Sequence, residues 1–362
     1  MNIKEALAKE WFFLAFLLAY IALIIYNPSF LNPDFIDTKT VLILAALIIS
    51  NTGIFVSGGT DYIAGHILKR FRNLKSVSVV AVILTVFMSM FITNDASLII
   101  LVPLTISIGR MTGKSISRTV VLEAIGANVG SALTPFGNPQ NIILFRAYHL
   151  SLQAFFSASL PLFAILIGIL LVFALVFTKN SKIRRWEGNI RYKPGLFYAS
   201  FALFVLSVSG FLLDLSGYFF FGISIASVFA LILMKPDNYT ARNALFRIDF
   251  LLILTFALIF LVMNSIRSMV SISLVGILPA FVLPALLSQI ISNVPATVLL
   301  TGKSSFIPLF WGVNIGGNGT IIASLANWIA LRRLPTGGIK EFMKISGLFL
   351  LITLIIGLVV FF

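Results

Sequence analysis

Long apolar segments, separated by short polar ones, follow one another along the whole chain. A helix that crosses a bilayer needs about 20 mostly apolar residues. On this basis we predict full membrane spans near residues 11–26, 40–57, 118–148, 155–178, 196–213, 217–234, 248–268, 305–331 and 342–362. Two further apolar segments have a polar interruption and predict helical hairpins that return to the side they left, at 77–109 and 271–300. The pattern predicts an all-α polytopic membrane protein with about 9–11 transmembrane helices.

The composition agrees with this prediction. Hydrophobic residues make up 59% of the chain and charged residues 10%, against roughly 25% charged residues in soluble domains. The positive-inside rule, which places Lys and Arg in cytoplasmic loops, accounts for the net charge of +14. With a cytoplasmic N-terminus, all 26 Lys and Arg residues lie on the cytoplasmic side except Lys39, Arg146, Arg267 and Lys303. We expect a multi-pass protein of the plasma (inner) membrane, surrounded by lipid, with no nucleic-acid partner.

The residues of common enzyme sites are scarce. The chain has no cysteine, so disulfides, thiolate metal sites and thiol redox centres are excluded. The two histidines, His66 and His149, are far apart near predicted span ends, and we interpret them as interfacial side chains. The sequence has no HExxH motif and no evident set of nucleophile, base and orienting group. We therefore expect a protein that is not an enzyme, with no cofactor, and with no metal site other than one for sodium.

A polar segment in the first half of the chain recurs near its end. GANVGSALTPFGNPQN, from Gly126, aligns with GVNIGGNGTIIASLAN, from Gly312, at an offset of 186 residues. The identical pairs are Gly126 and Gly312, Asn128 and Asn314, Gly130 and Gly316, Thr134 and Thr320, and Asn141 and Asn327. Upstream, FITNDASLIIL at 91–101 and IISNVPATVLL at 290–300 share a hydroxyl residue followed by Asn. Because the matches fall on rare polar positions, they indicate an internal repeat.

The repeat predicts three parts of the chain. The first is an N-terminal repeat at 1–178, with hairpin 77–109 and broken helix 118–148. The second is a basic cytoplasmic connection with two scaffold helices at 179–247. The third is a C-terminal repeat at 248–362, with hairpin 271–300 and broken helix 305–331. Corresponding helices of the two repeats are an odd number of spans apart, so the repeats are inverted. Inverted repeats whose interrupted helices meet near the bilayer midplane are typical of secondary transporters.

The polar interruptions are the predicted site. A helix that unwinds in hydrocarbon leaves backbone groups unpaired, so such breaks persist only inside protein or along a wet cavity. Close packing of small residues is the alternative interpretation, but packing requires neither a proline in a span nor several clustered asparagines. The predicted substrate ligands are Asn94, Thr134, Asn138, Asn141, Asn293, Thr297, Asn318, Thr320 and Ser324. The predicted ion-coupling residues are Thr93, Asp95, Asn128, Gly130, Ser292, Asn314 and Gly316.

Two acidic residues fall within predicted membrane segments. A carboxylate at membrane depth is costly and usually marks an ion or proton pathway, so we predict that Asp95 titrates or meets a cation during the transport cycle. The corresponding tip at Ser292 has no acid, so the two half-sites differ. Glu123 is interpreted either as a second proton carrier or, as we favour, as an interfacial partner of Arg118.

The predicted site contains no basic residue. Lys and Arg are absent from 91–100, 126–144, 291–300 and 312–327. A polyvalent anion would have to rely on helix N-termini and on co-bound cations. A cation, a proton or a neutral hydroxylated solute fits Asp95 more easily.

The motif VGSALTPFGNPQN, from Val129 to Asn141, together with the Asn-bearing tips, resembles the ion transporter superfamily. That group contains divalent anion:sodium symporters, citrate-metal symporters, arsenite/antimonite efflux permeases and a class of sodium/proton antiporters. FITNDASLIILVPL, NVPATVLL and NIGGNGTIIASLANWIAL resemble the arsenite permeases, whereas GNPQN resembles the anion-permease branch. The symporter tips read Ser-Asn-Thr, but here they read Thr93-Asn94-Asp95 and Ser292-Asn293-Val294.

The resemblance implies a homodimer, a fixed scaffold with a moving transport domain, and coupling to Na⁺ or H⁺. We therefore predict an ion-coupled, elevator-type secondary transporter of a small inorganic anion or metalloid, similar to the arsenite permeases. The alternatives are a sodium-coupled di/tricarboxylate or other divalent-anion symporter, a sodium/proton antiporter and, from another class, an ion channel. Without cysteine, arsenite would bind as the neutral trihydroxide through hydrogen bonds.

Overall fold

The computed structural model describes residues 10–68, 70–183, 192–236, 239–271, 273–332, 334 and 338–361. Those residues form helices and loops, with one isolated backbone bridge between Asn73 and Lys182. By length and composition, six helical segments of the described chain can cross a membrane. The predicted all-α polytopic class is confirmed. The basic connection predicted from residue 179 includes 184–191, which lie outside the described residues.

The helices follow the predicted segments closely. In chain order they are α1 (Trp11–Tyr26), α2 (Thr38–Val56), α3 (Gly59–Leu68), α4 (Leu74–Ile92), α5 (Asn94–Thr112), α6 (Ser117–Ser131), α7 (Pro139–Ala147), α8 (Leu152–Phe177), α9 (Pro194–Leu212), α10 (Gly217–Leu233), α11 (Ala241–Leu245), α12 (Phe250–Met269), α13 (Ile277–Ile291), α14 (Asn293–Leu300), α15 (Phe306–Gly316), α16 (Leu325–Leu331) and α17 (Gly338–Phe361). The short helices α3 and α11 were not predicted, because their sequences are too short to give a span signal.

The described residues divide into two compact units. The first unit comprises the described residues within Met1–Gly58 and Tyr192–Ile272, and the second comprises those within Gly59–Arg191 and Ser273–Phe362. Each unit contains segments from both predicted repeats, and corresponding segments of the two repeats belong to the same unit. Each repeat contributes the long helix that precedes its hairpin, α2 or α12, to the first unit and its hairpin and broken helix to the second.

Helix α2 is the centre of the first unit. It packs against α9 and α10, while α1 packs against α12. Asp37 ends the preceding loop, and its carboxylate accepts a hydrogen bond from the backbone N–H of Thr40 at 3.0 Å, which caps α2. The hydroxyl of Ser50, buried in the middle of α2, donates to the Ala46 carbonyl at 2.7 Å and so needs no other partner.

The second unit contains the two hairpins, α4–α5 and α13–α14, and the two broken helices, α6–α7 and α15–α16. Helix α4 packs along α6, and α13 packs along α15 in the same way. These close approaches depend on Gly130 and Gly316, because a Cβ atom at Gly130 would lie 2.1 Å from the Val86 carbonyl oxygen and one at Gly316 would lie 2.7 Å from the Ala285 Cα. Small residues commonly allow such approaches between membrane helices.

Large apolar side chains remain exposed on the long helices of both units. Leu18, Val172, Phe229 and Val359 are among them, each more than half exposed. In water such surfaces would favour aggregation, whereas in a bilayer they contact lipid. The arrangement agrees with a multi-pass membrane protein.

Candidate functional site

Each hairpin turns at one residue with an unusual backbone conformation. Thr93 has φ 85° and ψ 152°, and Ser292 has φ 77° and ψ 155°. This region of backbone space is almost restricted to glycine and costs on the order of 1–3 kcal/mol for other residues. The two hairpins therefore turn with the same strained backbone conformation at corresponding positions.

The asparagine after each tip residue begins the returning helix and bonds to a helix break. The backbone N–H of Asn94 donates to the Gly137 carbonyl at 3.2 Å, and that of Asn293 donates to the Ala323 carbonyl at 2.9 Å. Gly137 and Ala323 are the pair that the 186-residue offset aligns. The internal repeat detected in the sequence therefore corresponds to repeated geometry.

Within each break, one asparagine satisfies the carbonyls that the unwound backbone exposes. The Asn141 amide donates to the carbonyls of Ser131 at 3.1 Å and Thr134 at 2.9 Å. At the equivalent positions, the Asn327 amide donates to Gly317 at 2.9 Å and Thr320 at 3.0 Å. These two side chains compensate for the hydrogen bonds that the interrupted helices lose.

Hydrogen bonds also join the two breaks reciprocally. The Asn128 amide donates to Oδ1 of Asn327, and the Asn314 amide donates to Oδ1 of Asn141, both at 3.0 Å. Oδ1 of Asn128 in turn accepts from the Ser324 hydroxyl at 3.2 Å, and Oδ1 of Asn314 accepts from the Asn138 amide at 3.1 Å. We call this set the amide network: Asn128, Asn138, Asn141, Asn314, Ser324 and Asn327. Every member is at most 3% exposed.

The first tip lies beside the amide network. The Asn94 amide is 3.5 Å from Oδ1 of Asn128, and Oδ1 of Asn94 accepts from the backbone N–H of Asp95 at 2.9 Å. Asp95 occupies the first turn of α5, where a carboxylate interacts favourably with the positive end of the helix. Its side chain is partly buried.

The second tip is held in a similar way. The Ser292 hydroxyl lies 3.4 Å from the Ala323 carbonyl. The buried Asn293 side chain packs against Gly317, since a Cβ atom added to this glycine would lie 2.9 Å from Nδ2 of Asn293. The break of the second copy is therefore in contact with its own tip, as in the first copy.

Other predicted site residues bond to the backbone around the breaks. The Thr134 hydroxyl donates to the Met90 carbonyl at 2.8 Å, and the Thr320 hydroxyl donates to the Gln289 carbonyl at 3.0 Å. Each break is thus hydrogen-bonded to the first helix of its hairpin. Thr297 donates to the Asn293 carbonyl of its own helix at 2.7 Å, so its hydroxyl is not part of the network. Asn318 approaches Asn128 only at 3.5 Å.

Sequence reasoning missed one polar side chain at the second break. Gln289 donates to the Gly316 carbonyl at 2.7 Å and accepts from the Thr320 backbone N–H at 2.9 Å. The corresponding position in the first hairpin, by alignment of the tips, is Met90. A lone amide in the apolar helix α13, one turn before Asn293, was the available signal.

Replacing Gln289 by methionine is expected to weaken the second break. The change leaves the Gly316 carbonyl and the Thr320 N–H without their side-chain partner, at about 1–3 kcal/mol for each group left unsatisfied. The thermal unfolding midpoint of the purified protein in detergent should fall clearly below that of the parent. Gln153→Met, an exposed position on α8, is the matched control. Equal midpoints for the two variants would contradict the assignment.

The interpretation of Glu123 as a partner of Arg118 is wrong. Arg118 Nε lies 2.6 Å from Oε1 of Glu341, with both side chains partly exposed. Glu123 is fully buried instead, and its Oε1 accepts a hydrogen bond from the Thr105 hydroxyl at 2.6 Å. The physical reason is helical geometry, since residues five apart lie on well-separated faces of a helix.

Comparison with known proteins agrees with this architecture. A family model described as citrate transporter, CitMHS, matches residues 5–305. An uncharacterized transporter of Methanocaldococcus jannaschii, MJ0456, is 34% identical over 360 residues and covers 95% of both chains. The inner membrane protein YbiR of Escherichia coli is 32% identical over 319 residues, covering 83% of this chain and 81% of the relative.

A further match covers a shorter part of the chain. A protein of Dictyostelium discoideum named putative transporter arsB is 35% identical over 89 residues, which cover 24% of this chain and 16% of that protein. Together with the family match, it confirms the predicted membership of the ion transporter superfamily. The chain belongs to the CitMHS citrate transporter family and is a multi-pass membrane transporter.

Proposed function

We propose that the protein is an ion-coupled secondary transporter of a small inorganic anion or metalloid of the arsenite type. The amide network carries this proposal, because it joins the breaks of two inverted copies through uncharged, reciprocal hydrogen bonds. Such a symmetric site suits alternating access, in which the same groups face one side of the membrane and then the other. We infer an elevator-type movement of the unit that contains the network.

The chemistry of the tips and breaks favours a solute with little charge. The groups available to a ligand are amides, hydroxyls and the N-termini of α5 and α14, and Asp95 is the one acidic side chain in these segments. No Lys or Arg stands in them to neutralise a polyvalent anion. A neutral trihydroxide such as protonated arsenite both donates and accepts hydrogen bonds, which matches amide and hydroxyl partners.

A carboxylate is the second candidate, because the matching family is described as citrate transporter. A tricarboxylate bound at helix N-termini without basic side chains would retain most of its negative charge. A divalent metal bound to the carboxylate, or co-bound sodium, would reduce that charge. The carboxylate candidate therefore predicts uptake that requires a metal ion or sodium.

Uptake into proteoliposomes tests both candidates. Purified protein is given arsenite, sulfate, phosphate, or citrate with and without Mg²⁺, while the sodium gradient and the pH gradient are varied independently. Accumulation of arsenite that depends on one of the gradients is the expected result. Accumulation of citrate alone would favour the second candidate, and a steady current that needs no second gradient would identify a channel. Protein-free liposomes are the control.

We further propose that Asp95 binds the coupling ion, Na⁺ or H⁺. Asp95→Asn removes the charge and keeps the shape of the side chain, so solute exchange should persist. Gradient-driven accumulation should fall about tenfold or more, which corresponds to a coupling free energy of at least about 1.4 kcal/mol. Asp34→Asn, at an exposed turn of the first unit, is the control. Unchanged accumulation and unchanged pH dependence in Asp95→Asn would refute this role.

We propose a homodimer in the plasma (inner) membrane, with the N-terminus and most of the basic loops in the cytoplasm. Chemical crosslinking of the purified protein in lipid, and labelling of single cysteines introduced at Lys39 and Lys114, test the two points separately. Lys39 is predicted to face outside and Lys114 to face the cytoplasm.

A further inference from the structure

Glu123 is a buried acid that the proposed solute site does not use. It lies in the middle of α6, five residues before Asn128, which is about 7.5 Å along the helix axis at 1.5 Å per residue. The side chain is 0% exposed. Oε1 accepts from Thr105 at 2.6 Å, whereas Oε2 has no hydrogen-bond partner among the described residues.

Among the described residues, no cation lies beside Glu123 to balance a carboxylate. Helix α6 packs against α4, α5, α8, α16 and α17. The charged residues of these helices and of α6 itself are Lys75, Asp95, Arg110, Arg118, Lys340, Glu341 and Lys344. The basic ones lie near helix ends and are exposed or half-buried, and none forms an ion pair with Glu123 in the described part of the chain.

Asp95 is also too distant to share a charge with Glu123. It lies ten residues before Thr105 on α5, about 15 Å along the helix axis. A buried charge without a partner is strongly unfavourable, and a proton on the carboxyl removes that charge. The two acids are therefore separate positions along the same unit.

Buried hydroxyl groups continue from Glu123 toward the Ser117 end of α6. Thr119 lies one helical turn before Glu123 on the same face. Its hydroxyl is 2.7 Å from that of Ser78 on α4, and both are buried. Together with Thr105, which bonds to Glu123, we call these buried hydroxyl groups the polar strip; Ser78 and Thr119 lie toward the end of α6 where Arg118 is exposed.

We propose that Glu123 binds and releases a proton during transport, as a coupling position separate from Asp95. The inference rests on the transporter function proposed above. The polar strip supplies hydroxyl groups along which the proton is exchanged, and the amide network lies on the other side of Glu123. Protonation at Glu123 therefore occurs about 7.5 Å along α6 from Asn128, the nearest member of the network on that helix.

Infrared spectroscopy of the protein in lipid tests directly whether Glu123 is protonated, without any solute. The expected result is a carbonyl stretching band of a protonated carboxyl group at neutral pH that Glu123→Gln removes and Thr105→Val shifts. Glu341→Gln, at the partly exposed pair with Arg118, should leave the band unchanged. Burial raises the pKa of Asp61 in α3 to about 6, so Asp61 is mostly ionised at neutral pH and Asp61→Asn should leave most of the band in place. Absence of a band that depends on Glu123 would overturn the inference.

Transport measurements separate a proton carrier from a merely structural carboxyl. In proteoliposomes with an enclosed pH dye, addition of arsenite or magnesium citrate should move protons in the parent protein. Glu123→Gln keeps an acceptor for Thr105, so we expect it to retain solute exchange and to move fewer protons per solute than the parent protein. An unchanged number of protons per solute in Glu123→Gln overturns the inference while the transporter proposal stands. If neither probe enters parent liposomes, the transporter proposal and the carrier role fail together, while the infrared band still reports the protonation of Glu123.

Discussion

Replacing Asn128 by alanine is expected to abolish gradient-driven uptake and to destabilise the second unit. The Asn128 amide donates to the Gly317 carbonyl and to Oδ1 of Asn327, both at 3.0 Å, and its Oδ1 accepts from Ser324. Truncation leaves Oδ1 of Asn327 and the Ser324 hydroxyl without this partner, at about 1–3 kcal/mol each, whereas the Gly317 carbonyl keeps its bond from the Asn327 amide. A total on the order of 3 kcal/mol corresponds to about a 100-fold loss in the population of the transport-competent state.

The inverted repeat provides a matched variant for this experiment. Asn314→Ala removes the equivalent bonds, to Oδ1 of Asn141 at 3.0 Å and from Asn138 at 3.1 Å. We expect the two variants to lose uptake and thermal stability to a similar extent. Asn264→Ala is the control, because Asn264 belongs to the first unit and donates a single bond, to the Phe35 carbonyl at 2.7 Å.

Measurements of solute accumulation in proteoliposomes and of thermal unfolding in detergent would check this prediction. Near-normal uptake in Asn128→Ala would show that the amide network is dispensable. A large effect of Asn128→Ala with none of Asn314→Ala would show that the reciprocal bonds do not act as a pair.

Introducing a methyl group at Gly130 is expected to prevent normal packing of α6 against α4. A Cβ atom there would lie 2.1 Å from the Val86 carbonyl oxygen and 2.2 Å from the Ser89 hydroxyl. Because the nearest atom belongs to backbone, the clash is relieved only by moving a helix. Overpacking costs typically about 1–3 kcal/mol, and we expect Gly130→Ala to lie at the upper end of this range. Uptake should be lost with it, since the displaced segment contains Asn128.

Alanine substitutions at two other glycines provide a comparison for Gly130→Ala. Gly316→Ala places a Cβ atom 2.7 Å from the Ala285 Cα and should behave like Gly130→Ala. Gly168→Ala, on α8, meets no atom within 4 Å and should be neutral or stabilising, because alanine favours a helix by about 1 kcal/mol over glycine. Folded yield and the unfolding midpoint are the measurements. Equal stability of all three variants would contradict the close-packing argument.

The sequence predicted the positions of the helices and of their interruptions well. Hairpin 77–109 corresponds to α4 and α5, and its predicted tip coincides with the strained residue Thr93. Broken helix 118–148 contains the interval between α6 and α7, where Gly137 and Pro139 were the signals. The positions of helices and breaks depend on residues that are close in the chain. The length of an apolar segment and the presence of turn-forming residues are therefore sufficient to predict them.

Side-chain partners were predicted less well. Glu123 was assigned to Arg118, yet its partner is Thr105 on another helix. Gln289 was overlooked although it holds the second break. Both outcomes depend on how a helix is rotated about its axis relative to its neighbours, and the spacing of apolar residues does not define that rotation when nearly every face of the helix is apolar.

The sequence by itself determined the class of protein, the apolar segments, the positions of the two hairpin tips and the 186-residue repeat, because each follows from local composition or from matching rare residues. Only the tertiary structure decided that Asn128 pairs with Asn327 and Asn314 with Asn141. Those partners are separated by more than 170 residues, and buried amides bond to whichever groups the packed helices bring within reach. The physical reason is that hydrogen bonds require a distance near 3 Å, which packing sets and sequence spacing does not.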